Sequence, residues 1–120
     1  LATTPHPTAI RLKRAERVLE VEFDSGETFR FSCEFLRVHS PSAEVQGHGP
    51  GQRVLQVGKE KVGIRAIEPV GNYGVLLRFD DGHETGIYSW SYLLDLGQRQ
   101  PELWQSYLAA LAAAGHRRDE

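Results

Sequence analysis

His39, Glu44, His48 and His83 are the residues of this chain best suited to a metal ion, since imidazole nitrogen and carboxylate oxygen together hold zinc or iron. His39 and His48 share one short segment, so only His83 must arrive from elsewhere in the chain. The spacing fits neither a helical pair nor a zinc ribbon, and the ordinary fate of each histidine is to be solvated or hydrogen-bonded. Cys33 with some histidine could form a nucleophile pair. Its place beside Ser32 and Phe35, at an expected helix start, points instead to a small packing residue. Gly47-His48-Gly49-Pro50-Gly51 is glycine-rich but lacks the Gly-Lys-Ser/Thr of a phosphate-cradling loop. Asp80, Asp81 and Glu84 form a carboxylate cluster that turn chemistry and solubility explain without catalysis. No catalytic set emerges, and no cofactor is expected.

The elements that position these residues come from a weak internal repeat. Phe23-Asp24-Ser25-Gly26-Glu27-Thr28 precedes Phe29-Arg30-Phe31-Ser32 and Phe35-Leu36. Phe79-Asp80-Asp81-Gly82-His83-Glu84-Thr85 precedes Ile87-Tyr88-Ser89 and Tyr92-Leu93, and the two turn glycines are 82 − 26 = 56 residues apart. Glycine reaches positive φ cheaply, so both stretches read as tight hairpins. Leu19, Val21 and Phe23 alternate with Glu20 and Glu22, the pattern of a half-buried strand over 18–23. Residues 28–31 should pair back on it, and residues 75–79 and 84–88 form the second hairpin. Residues 10–12 and 62–67 lead into the two units, and 54–57 is a further short strand that leaves through a turn at 58–61.

Each hairpin should then enter a short helix, 33–38 and 90–96, with Ser32 and Ser89 as N-caps and Gly97 as the stop of the second. The last helix starts at Pro101. Leu103, Trp104, Tyr107, Leu108 and Leu111 make one apolar stripe along it, and Gly115 ends it. That stripe packs on the sheet or docks a partner. Residues 39–51 are polar and rich in glycine and proline, which excludes a regular element and leaves a surface loop, either a binding site or a connector. The fold class is therefore α+β: two antiparallel β-hairpin units, each followed by a short helix, packed with a C-terminal α-helix. Residues 9–114 form the single domain, after a flexible lead-in at 1–8 and before a disordered tail at 115–120.

Composition narrows the function. A net charge of −2 argues against a nucleic-acid module, and the basic cluster Arg11, Lys13, Arg14 and Arg17 is interleaved with Glu16, Glu20 and Glu22. One cysteine cannot close an internal disulfide and fits a reducing, cytoplasmic location. No apolar run approaches the roughly 18 residues of a membrane span, so no membrane contact is expected. The first residues lack the basic-then-apolar order of a signal peptide, and the absence of methionine places the natural start upstream.

Asp81-Gly82-His83, Gly86-Ile87-Tyr88-Ser89-Trp90 and Tyr92-Leu93, with Phe35-Leu36-Arg37-Val38-His39-Ser40-Pro41-Ser42, resemble a known family. It is the N-terminal domain of gamma-butyrobetaine hydroxylase and trimethyllysine hydroxylase, together with the small DUF971-like bacterial domains of unknown function. The resemblance spans residues 8–112. It implies an accessory module, one also found attached to P-loop ATPases that carry iron–sulfur clusters. In the hydroxylases the domain holds a structural zinc with three cysteines and a histidine. The corresponding positions here are Ser40, Ser42 and Val45, and His83 alone has a counterpart, so zinc is not carried over. The oxygenase activity belongs to a separate domain with a two-histidine, one-carboxylate triad, and this chain contains neither His-x-Asp nor His-x-Glu.

The leading expectation is a non-catalytic accessory or protein-interaction domain linked to iron–sulfur cluster assembly. Its candidate binding residues are Arg37, His39, Ser40, Ser42, His83, Tyr88 and Trp90. The alternative is a small metal-binding component of an oxidoreductase using His39, His48 and His83. If the fold is shared, Arg37, His39, Ser40, Ser42 and His83 must gather on one side of the domain, as a latch or as a docking patch.

Overall fold

Three strands and a helix, built twice, make up most of the structure. The computed structural model describes residues 5–47 and 53–118. The first unit is β1 (Pro7–Lys13), β2 (Val18–Phe23), β3 (Thr28–Ser32) and α1 (Cys33–Val38), and a short α2 (Ala43–Gln46) follows it. The second is β4 (Ile64–Val70), β5 (Gly74–Phe79), β6 (Ile87–Ser89) and α3 (Trp90–Gln98), followed by α4 (Gln100–Ala113). Each sheet is an antiparallel meander, β1-β2-β3 and β4-β5-β6. The two-unit α+β architecture and the C-terminal helix agree with the sequence pattern. Among the described residues no helix is long and apolar enough to cross a membrane.

The repeat is geometric as well as sequential. Gly26 and Gly82 turn the two hairpins at φ 94° and 93°, where a side chain would be strained. Phe23 N–H donates to Glu27 O at 2.8 Å, and Phe79 N–H to His83 O at 2.9 Å. The irregularity between Pro7 and Ala9 in β1 recurs between Ile64 and Ala66 in β4. Both strands are sheet edges, where Pro7 and Pro69 cost no ladder bond. Ser32 Oγ accepts from Phe35 N–H and Ser89 Oγ from Tyr92 N–H, the expected caps.

Alternation puts Leu19, Val21 and Phe23 of β2 and Val75, Leu77 and Phe79 of β5 in one common core, with Phe31, Leu36, Tyr88 and Leu93. Burying each such side chain stabilises by roughly 1.5–3 kcal/mol. Cys33 is buried in the same core, and burial pushes its thiol pKa up, so it packs rather than reacts.

Several boundaries differ from the sequence reading. Residues 54–57 are not a strand. Residues 39–51 are not wholly irregular, because Ser42 caps the four-residue α2 through Glu44 N–H. The second hairpin's return strand is only Ile87–Ser89. Gly97 does not stop α3 but lies inside it, since a Cβ there would come 2.5 Å from the Phe29 ring. In the segment expected to be a tail, Arg118 returns to pair with Glu34.

Candidate functional site

The two units differ in the return from their second turn. Strands β2 and β5 and the turn glycines hold matched positions 56 apart, as with Val18 and Gly74, whereas β3 and β6 hold them 57 apart, as with Ser32 and Ser89. The extra residue falls between His83 and Ile87, at Glu84-Thr85. An inserted residue of this kind locally disrupts the ladder and re-aims neighbouring side chains. Here it turns His83 and Thr85 toward the segment after α1.

His83, only 4% exposed, meets that segment on both ring nitrogens. Nδ1 lies 2.9 Å from Glu44 Oε2, and Nε2 lies 2.8 Å from Ser40 Oγ. A carboxylate only accepts, so Nδ1 carries the proton; in the neutral ring Nε2 then accepts from the Ser40 hydroxyl. Ser40 Oγ also accepts from Ser42 N–H at 3.2 Å. A second chain runs parallel. Ser42 Oγ lies 2.7 Å from Thr85 Oγ1, and Thr85 Oγ1 donates to Glu44 Oε1 at 3.2 Å. Both chains end on the Glu44 carboxylate, whose pKa is held below the usual range first by the His83 hydrogen bond. Gln46 Nε2 adds a 2.8 Å bond to Ser40 O.

Asp81 organises the other side. Its Oδ2 accepts from Arg37 Nε at 2.9 Å and Lys59 Nζ at 2.7 Å, and its Oδ1 from His83 N–H at 3.1 Å. Burial alone would raise this carboxyl; the donors from Lys59, His83 and Arg37 outweigh it and hold the pKa at about 2. Arg37 Nη1 is the buried side-chain polar atom left without a partner among the described residues. Gly86 permits the close approach, because a Cβ there would stand 2.4 Å from Ser40 Oγ.

Arg37, Ser40, Ser42 and His83 are thus brought together with Glu44, Thr85 and Asp81. His39 points elsewhere: its Nδ1 lies 3.0 Å from Phe35 O, and its ring packs 4.5 Å from the Phe35 ring. Tyr88 is fully buried and donates to Leu36 O, under the cluster. Trp90 stands apart, its Nε1 donating 2.7 Å to Asn72 O in the β4–β5 turn. His48 lies outside the described residues. Sequence reasoning weighed Glu44 only as a metal ligand, read Asp81 only as turn chemistry and missed Thr85. The one-residue mismatch between the repeats was the signal that marks Thr85.

The zinc that the resemblance implies does not fit these residues. Ser40 and Ser42 offer neutral hydroxyls, Val45 is an isopropyl group with 0% exposure, and both His83 nitrogens are engaged within the protein. Among the described residues no group of three or more His, Cys, Asp or Glu is placed to hold an ion. His39 and His83 have different partners, Phe35 O for the one and Ser40 and Glu44 for the other.

A family model described as gamma-butyrobetaine hydroxylase-like, N-terminal, matches residues 10–94. One NMR solution structure is 56% identical with a TM-score of 0.83, covering 98% of this chain and 87% of its own. A second NMR solution structure is 48% identical with a TM-score of 0.84, covering 98% and 92%. A crystal structure of a DUF971-family protein of unknown function from Acidithiobacillus ferrooxidans ATCC 23270 is 40% identical with a TM-score of 0.65, covering 77% of this chain and 92% of its own. Among curated proteins, none matches.

Proposed function

The chain belongs to the gamma-butyrobetaine hydroxylase-like N-terminal domain family, and on that footing we propose that it is a non-catalytic accessory domain that docks a protein partner. The docking face is the one formed by Arg37, Ser40, Ser42, Glu44, His83 and Thr85. His39 and Tyr88 belong to the packing beneath it. The observation that carries this reading is hydrogen-bond saturation. The ring nitrogens of His83 and the hydroxyls of Ser40, Ser42 and Thr85 are all committed to one another or to Glu44. Such a cluster offers no free nucleophile, base or open coordination position, but it does hold a surface in one shape. Glu44, with its side chain 60% exposed, presents a fixed negative charge on that surface. The resemblance alone supplies the link to iron–sulfur cluster assembly, and the single cysteine supports a cytoplasmic, reducing location.

Affinity capture from the native host tests the reading. Wild type should retain a cluster-assembly or cluster-bearing protein, and Glu44→Lys, which also removes the acceptor for His83 and Thr85, should lose it at a temperature where circular dichroism shows the variant still folded. Equal capture by both, or none above a mock column, would sink it.

A further inference from the structure

Glu34, the second residue of α1, is 5% exposed although it is a carboxylate. Arg118 grips it as a fork: Nε lies 2.9 Å from Oε2 and Nη2 lies 2.5 Å from Oε1. The same guanidinium sits over the Trp104 indole, 5.2 Å from the ring centroid. Arg118 comes from beyond α4, past Gly115 at φ 79°, where the described chain has no regular structure. Beside the pair opens a cavity of about 540 Å³ walled by Phe35, Gly97, Pro101 and Trp104.

A buried carboxylate stripped of its cation is strongly unfavourable, so this site demands a positive group. The two-pronged geometry and the ring face select a planar guanidinium over an ammonium. Arg118 fills the polar end and leaves the apolar cavity open. The site also joins two parts of the chain: Glu34 and Phe35 lie within the family-matched span, whereas Gly97, Pro101, Trp104 and Arg118 lie beyond its end at residue 94. We propose that this is a recognition site for an arginine with an adjacent apolar residue on a partner protein, and that Arg118 is the intramolecular occupant the partner displaces. The apolar neighbour takes the cavity, the guanidinium takes Glu34, and Arg118 moves to solvent. The inference uses none of the residues of the Ser40–His83 cluster and stands or falls apart from it.

NMR titration of the full chain with acetyl-Leu-Arg-amide tests it, read at the Trp104 indole N–H and the Glu34 and Phe35 amides. Arg118→Gln should show saturable shifts at these positions, and wild type should bind roughly tenfold more weakly because its tethered arginine competes. The same peptide with citrulline for arginine should not bind, and Glu34→Gln should abolish binding. If Arg118→Gln does not fold, Arg118→Lys keeps a cation on Glu34 and should bind the peptide more tightly than wild type. No saturable shift in either variant overturns the proposal, as does equal binding of the citrulline peptide. Concentration-dependent self-association with a Trp104 signal insensitive to peptide overturns it too, because a second copy would then be the occupant.

Discussion

His83 joins Ser40 to Glu44, accepting from one at 2.8 Å and donating to the other at 2.9 Å. One imidazole thereby fastens the segment after α1 to the turn of the second hairpin, residues 39 to 43 positions apart. The resemblance predicted that these two regions would meet, and they do. What joins them is a hydrogen-bond relay in place of thiolates around an ion.

Replacing His83 by alanine should therefore act as the loss of a latch. It removes the acceptor for the Ser40 hydroxyl, which is 0% exposed and has no water to turn to. Leaving such a group unpaired costs about 1–3 kcal/mol. Urea melts should show that loss, and amide exchange should speed up over 42–46. A change under ~0.5 kcal/mol with unaltered exchange would mean that the relay does not hold the segment.

Gly86→Ala tests the closeness of the same contact. The added Cβ would meet Ser40 Oγ at 2.4 Å and Tyr88 Cε1 at 3.3 Å. Both neighbours are buried, so neither can yield freely, and overpacking of this sort costs about 1–3 kcal/mol. The variant should lose that much in a denaturant melt and shift the Ser40 and His83 resonances. A neutral result would show that β6 moves away without cost.

Much of this was legible beforehand, for reasons particular residues make plain. Ser32 and Ser89 mark helix starts because a hydroxyl satisfies a first-turn amide wherever the chain turns from extended to helical. Leu19, Val21 and Phe23 declare their strand by alternation. Other features depend on partners distant in sequence. Gly97 looked like a helix stop, yet its missing side chain makes room for Phe29, a residue of the other sheet. α2 escaped notice because four residues leave no periodicity, and Ser42 as its cap was read as a lost zinc position. Glu44, at the end of both hydrogen-bond chains, was weighed only as a metal ligand, since nothing local in its sequence announces Thr85 and His83 as its donors.

Metal removal should have no effect. Two hydroxyls, one valine and a histidine bonded on both nitrogens make a poor site for zinc. Protein purified without a tag should carry zinc or iron well below one per chain, and a chelator should leave the melting temperature unchanged. Structural metals contribute folding free energy directly, so a drop of several degrees on chelation would show a site that these residues do not explain.

Acid should expose the buried state of His39. Desolvation lowers its pKa from 6.5 to about 4, against a raising contribution from its hydrogen bond to Phe35 O. That carbonyl accepts, so Nδ1 holds the proton of the neutral ring. Because the folded pKa lies below the unfolded one, the unfolded chain binds the extra proton first as pH falls. The stabilisation is complete above pH 6.5, declines from there toward pH 4, and levels off once the folded ring also protonates. The difference of 6.5 − 4 = 2.5 units sets its size at no more than about 3 kcal/mol. Glu44 and Asp81, whose pKa values are also depressed, act in the same direction but from lower pH, below their ordinary values of 4.5 and 3.8. Urea melts of wild type and His39→Gln at intervals from pH 8 to about pH 4 separate the contributions. Wild type should lose stability between pH 6.5 and 4.5, while the glutamine variant, with no group to titrate at that position, stays nearly flat until the carboxylates protonate. Parallel curves for the two proteins would show that His39 is protonated as readily in the folded chain as in the unfolded one, and that its place against Phe35 is open to water.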